Sequence, residues 1–119
     1  MNKDIETLKE QLIEFRDRRD WKQFHTPVNL AVALHLEASE VLECFQWKAD
    51  HRVFAEWIKD PKNHQSVKEE LADVLSYLIL LADSLDIDLY ETTCEKIKLN
   101  GEKYPVEKAK GSAKKYTQL

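Results

Sequence analysis

Two long apolar runs in this chain carry carboxylates on the side where a helix would bury them. His35-Leu36-Glu37-Ala38-Ser39-Glu40 and Glu69-Glu70-Leu71-Ala72-Asp73 each set two acids three residues apart. At about 3.6 residues per turn, such a pair occupies adjoining strips of one helix face, close enough for both to reach a single ion. Position constrains more than spacing does. Glu37 follows Leu34 by three residues and precedes Val41 by four, and Glu70 stands in the same way between Val67 and Val74. A carboxylate on an apolar face is costly unless something pairs with it. Two such helices face to face make an oxygen-rich cage for a hard divalent cation. The plainer explanation is a solvated face, since Glu-x-x-Glu occurs by chance on many helices. Two such motifs set in the most apolar helices of the chain bring the metal site level with it.

The remaining composition narrows the fold. A chain of 119 residues suits one domain with a modest core. Two glycines and three prolines leave little turn chemistry, which favours a few long helices over a sheet. The net charge of -4 gives no electrostatic case for polymeric nucleic acid. Leu71 to Leu85 is apolar but is interrupted by Asp73 and Asp83 and is too short for a bilayer, so no membrane partner is expected. Cys44 and Cys94 lack metal-ligand spacing and read as buried, reduced thiols of a cytoplasmic protein. The charged opening residues give no sign of a signal peptide.

Periodicity predicts the elements. Ile5, Leu8, Leu12 and Phe15 mark an amphipathic helix over about residues 3–19. The stretch 18–25 breaks the pattern, and Thr26-Pro27 supplies an N-cap and first-turn proline for a second helix over about 27–48, closed by Trp47. That helix is apolar almost all round, which a small chain satisfies most easily by self-association. A short helix is expected near Arg52–Lys59, and Asp60-Pro61 starts a third long helix over about 61–85. Asp88 and Glu91 resemble a capping box for a last helix that stops at Gly101. Residues 1–104 are thus expected as one all-α domain, and residues 105–119 as a basic tail. The tail carries Lys108, Lys110, Lys114 and Lys115; it is either disordered in the free protein or folded over an anionic ligand. Tyr77, four residues past Asp73 and seven past Glu70, projects from the acidic side of its helix. Glu43 drifts toward the rim, and Glu69 points away from Glu70.

With these acidic pairs in place, the chain resembles the MazG-like superfamily of all-α nucleotide pyrophosphohydrolases, and within it the small dCTP pyrophosphatases. The likeness runs through Arg19-Asp20-Trp21-Lys22-Gln23-Phe24-His25, Glu37 to Phe45-Gln46-Trp47, and Glu69 to Tyr77. It continues at Asn100, Lys103-Tyr104-Pro105 and Gly111 to Thr117. Ala38-Ser39 departs from relatives that often carry glycine there, at positions that supply no metal oxygen. The resemblance implies a four-helix-bundle-like MazG-type fold whose helices pair across a subunit interface, typically in a homotetramer built as a dimer of dimers. It implies that Glu37, Glu40, Glu70 and Asp73 bind Mg2+ and are catalytic. Trp21, His25, Trp47 and Tyr77 would form the nucleobase and sugar pocket, with Asn100, Lys103 and Tyr104 near sugar or phosphates. The implied reaction cleaves a (d)NTP, dCTP or a modified dCTP above all, between the α and β phosphates to give (d)NMP and pyrophosphate.

The residue types agree with that chemistry. Four carboxylates repel a triphosphate unless cations stand between them. No Ser-His or Cys-His arrangement offers a nucleophile, so direct attack by water is the simpler route, with Glu40 or else Glu37 as general base. Taken alone, His25 reads as a turn residue and the tryptophans as core. A di-iron carboxylate bundle would need Glu-x-x-His, and the third residue on is Glu40 in one motif and Asp73 in the other. The alternatives are a non-catalytic helical oligomerisation or regulatory module, and a relative acting on other (d)NTPs.

Overall fold

In the computed structural model, residues 4–119 are described; residue 3, where the first helix was expected to begin, lies outside them. The described residues form helices and turns with no strand, as the scarcity of turn formers requires. Helix α1 spans Ile5–Arg18, and Asp4 caps it by accepting from the Thr7 N–H at 2.8 Å. A 3-10 turn, Lys22–Phe24, leads to α2, Pro27–Phe45. Thr26 caps α2 by accepting from the Asn29 N–H at 3.2 Å, with Pro27 in the first turn. Helix α3, His51–Ile58, precedes α4, Pro61–Ser84, where Asp60 accepts from the Lys62 N–H at 2.9 Å.

The chain divides into two compact units, one running through Asp86 and the other Ile87–Leu119. In the first unit α4 is the element on which the others pack: α2 most extensively, then α1 and α3. Its core is small. Leu30 from α2 and Ile79, Leu80 and Ala82 from α4 are buried, with Ile79 only 1% exposed. The other faces of α2 and α4 stay open in the single chain, at Val28, Val32, Leu36 and Leu42 and at Leu71, Leu75 and Leu78. Those are the positions that make both helices apolar beyond a single stripe.

Helix α2 is shorter than its hydrophobic run suggests. It ends at Phe45, and Trp47 follows with φ 65°, 89% exposed, rather than closing the helix. Phe45 is diverted to stack on Phe54 of α3 at 5.2 Å, and the turn after it cannot continue the α2 spiral. Helix α3 is held to α4 by Asn63, whose Nδ2 donates to the Trp57 carbonyl at 2.8 Å.

The second unit opens on α5, Leu89–Lys103, capped by Asp88 accepting from the Glu91 N–H at 3.0 Å. Gly101 does not stop this helix. The Tyr104 N–H still bonds the Asn100 carbonyl at 2.9 Å, and the break comes at Pro105. A four-residue helix α6, Val106–Ala109, and a 3-10 turn, Tyr116–Gln118, give the basic tail local order. The Tyr116 ring meets Tyr104 edge-on at 5.8 Å and lies 5.0 Å from Lys103 Nζ. Both cysteines are free, but Cys44 is only half-buried and Cys94 is exposed, so neither is the core thiol expected.

Candidate active site

Helices α2 and α4 meet with their acids turned toward each other. Glu37 from α2 and Glu70 and Asp73 from α4 bring carboxylate oxygens within 4.8 Å of one another. This is what the helical phases require: Glu37 cannot leave the side of Leu34 and Val41, nor Glu70 that of Val67 and Val74, once those residues pack. Glu37 Oε2 and Glu70 Oε2 are buried with no hydrogen-bond partner.

Glu40 is exposed and lies outside that group of three, yet its carboxyl reaches both neighbours. The hydrogen bond with Glu40 is the main reason Glu70 is pushed up to about 7, followed by lost solvation and the charges of Glu40, Glu37 and Asp73. Glu37 is raised as well, first by burial and then by Glu40 and Asp73, with a bond from Glu70 pulling the other way. Glu70 is half-buried as a residue, and its shift comes from crowding with other acids more than from depth. An all-oxygen group with crowded, partnerless atoms suits a hard divalent cation such as Mg2+ or Ca2+, and lacks the nitrogen and sulfur that softer metals favour.

A pocket of about 240 Å³ adjoins these acids through Asp73, and Arg16, Trp21, His25, Ser76 and Tyr77 are among its lining residues. The segment between α1 and α2 sets the aromatic side. Asp20 takes a left-handed turn at φ 53°, and the Trp21 N–H bonds the Arg16 carbonyl at 3.1 Å. The Trp21 ring then packs edge-on against Phe15 at 5.8 Å. Asn29 reaches back from α2 to the Phe24 carbonyl at 3.0 Å and fixes the other end. His25 is half-buried, and its Nδ1 has no hydrogen-bond partner. Burial, reinforced by the charge of Arg16, holds its pKa below the ordinary histidine value, so the ring is neutral at pH 7.

Of the residues singled out from sequence, Glu37, Glu70 and Asp73 converge, Glu40 flanks them, and Trp21, His25 and Tyr77 share the adjoining pocket. Trp47 is not among the residues of that pocket within one chain. Asn100, Lys103 and Tyr104 belong to the second unit, on α5 and its C-cap. Arg16 was not foreseen. The signal was there: Leu8, Leu12 and Arg16 step by four, which puts a guanidinium on the apolar stripe of α1.

Known proteins bear on this geometry. The chain is 42% identical to mouse dCTP pyrophosphatase 1 and 40% identical to the human protein of that name, each over 116 residues. These alignments cover 97% of this chain and 67% of each relative. A crystal structure of a pyrophosphatase from Archaeoglobus fulgidus superposes with a TM-score of 0.79 at 41% identity, over 88% of this chain and 95% of that one. The MazG-like family model matches residues 32–119, a span that takes in every acid of the cluster, and on these grounds the chain belongs to the MazG-like family.

Proposed function

We propose that this chain is a Mg2+-dependent nucleotide pyrophosphohydrolase. Its substrate is a (d)NTP, dCTP or a modified dCTP first, cleaved between the α and β phosphates to (d)NMP and pyrophosphate. One observation carries the reading: three converging carboxylates, two of them with a partnerless buried oxygen, open through Asp73 onto a pocket walled by Trp21, His25 and Tyr77. The names of the mouse and human relatives support dCTP as the nucleotide.

Glu37, Glu70 and Asp73 hold the cation in this reading, with Glu40 as a fourth carboxylate. Bound Mg2+ cancels the repulsion between these acids and the triphosphate and polarises the attacked phosphoryl group. The chain's own groups do the rest. Trp21 and Tyr77 flank the base, His25 hydrogen-bonds it, and Glu40, or alternatively Glu37, takes the proton of the attacking water. Asn100, Lys103 and Tyr104 serve the sugar and phosphates, and the lysines of residues 105–119 offset the charge of the departing pyrophosphate. Trp47 joins the base pocket in an assembly that covers it, a homotetramer of paired dimers whose contacts are the open faces of α2 and α4. Free cysteines suit a cytoplasmic setting.

Pyrophosphate release across the four dNTPs with Mg2+, repeated on Glu37→Gln and Asp73→Asn, tests the proposal. The wild type is expected to turn over dCTP fastest, and the folded variants to lose roughly 100-fold or more. A wild type inert toward every nucleotide favours the non-catalytic helical module, and fully active variants move the site elsewhere.

A further inference from the structure

Arg16 is the one buried charged residue among the described residues, with 11% of its side chain exposed. Its Nε donates to Asp17 Oδ1 at 2.8 Å, while no described residue accepts from Nη1 or Nη2. The Nη atoms keep some contact with water, so they stand at the pocket wall as two donors that a ligand can take up. The backbone of Arg16 is tied in as well. Its carbonyl accepts from the N–H groups of Arg19 and Trp21 at 3.2 and 3.1 Å, tying it to the segment that presents Trp21. It lines the same pocket as Trp21, His25 and Tyr77. Its charge is felt by His25 and Asp17 and does not figure among the influences on Glu37 or Glu70. Glu37 and Glu70 are not among the lining residues of that pocket, so Arg16 stands on its aromatic side, where Asp73 is the one acid.

We propose that Arg16 is a specificity-determining residue that reads the cytosine edge. Its Nη donors pair with O2 and N3 of the base, and the unpartnered Nδ1 of His25 accepts from the exocyclic amine. The inference rests on the nucleotide reading above and adds how the base is chosen. Cytosine presents two adjacent acceptors followed by a donor. Thymine and uracil place an N3–H between two carbonyls, so a donor would face the guanidinium. The Watson–Crick edges of guanine and adenine lack paired acceptors; guanine carries such a pair only at O6 and N7 on its other edge, which makes dGMP the control that tests the reading. Guanidinium forks recognise paired base acceptors elsewhere, and each such pair is worth roughly 10- to 100-fold in discrimination.

Calorimetric titration with dCMP and dTMP tests this without requiring turnover. The wild type is expected to bind dCMP more tightly. Arg16→Met is expected to weaken dCMP roughly 10- to 100-fold and to leave dTMP within about threefold. Asp17→Ala, at an exposed residue whose loss disturbs no core, frees the guanidinium from its aim and is expected to lower the dCMP/dTMP ratio less, in the same direction. Equal weakening of both nucleotides in Arg16→Met, unchanged dCMP binding, or a preference for dGMP or dAMP overturns the assignment. If circular dichroism shows Arg16→Met unfolded, Asp17→Ala decides, and an unchanged ratio overturns it. A wild type that releases no pyrophosphate yet binds dCMP selectively through Arg16 defeats the hydrolase reading and upholds this one.

Discussion

Protons and divalent cations compete for the acidic cluster, and the competition is readable as pH dependence. The carboxyl of Glu70 is pushed up to about 7 from an ordinary value of 4.5 by Glu40, lost solvation and neighbouring charge. Glu37 moves the same way, so the titration belongs to the cluster and not to one acid. Between those two pH values the folded, metal-free protein holds a proton that the unfolded chain has released. This contribution favours folding most fully below pH 4.5 and is lost as pH rises through about 7. A cation binds only the deprotonated cluster. With a midpoint near 7 the cluster is open in about 9% of molecules at pH 6 and about 91% at pH 8, so apparent Mg2+ affinity should rise about tenfold. Titration calorimetry at both pH values, in buffers of different ionisation enthalpy, measures the affinity and about half a proton released at pH 7. Thermal melts should show Mg2+ stabilising more at pH 8 than at pH 6. Glu70→Gln should weaken binding at pH 8 and flatten the pH dependence. Mg2+ affinity that is constant from pH 6 to 8, with no proton release, would refute the picture of crowded acids on α2 and α4.

Ile79→Ala should lose about 2–5 kcal/mol of stability in urea denaturation, because Ile79 is the most deeply buried large side chain of a small core; a loss below about 1 kcal/mol would place the core elsewhere. Trp21→Ala should weaken dCMP binding by about 1–3 kcal/mol through lost stacking, and calorimetry showing no change would remove Trp21 from the pocket.

Local signals in the sequence were the most legible ones. Thr26, Asp60 and Asp88 each cap a helix through a single side-chain oxygen, and the chemistry that does so spans two or three residues. The convergence of Glu37, Glu70 and Asp73 was legible for a related reason: helical phase fixes which side an acid faces, and the half-buried Leu34 and Val67 mark that side as the one turned inward. Signals that depend on competition misled. Gly101 offered a helix stop, but Pro105 stood four residues on and ended α5 instead. Trp47 extended an apolar run, yet the stacking of Phe45 on Phe54 ended α2 first. Arg16 went unread because arginine is ordinarily a surface residue, and only the packing of α1 on α4 puts it inside. The partition at Asp86 leaves no sequence mark, since Ser84 to Asp88 contains neither glycine nor proline.

A bulky indole on a left-handed backbone ordinarily survives only where neighbours wedge it in place, at a penalty of order 1–3 kcal/mol. Trp47 has that backbone and makes no ring contact among the described residues. In the single chain only the Phe45–Phe54 stack before it ends the helix, and a surface laid against the exposed indole would hold the kink. Residue 47 is thus a built-in fluorescent gauge: its emission should shift to the blue and its tumbling slow when another copy of the chain docks there.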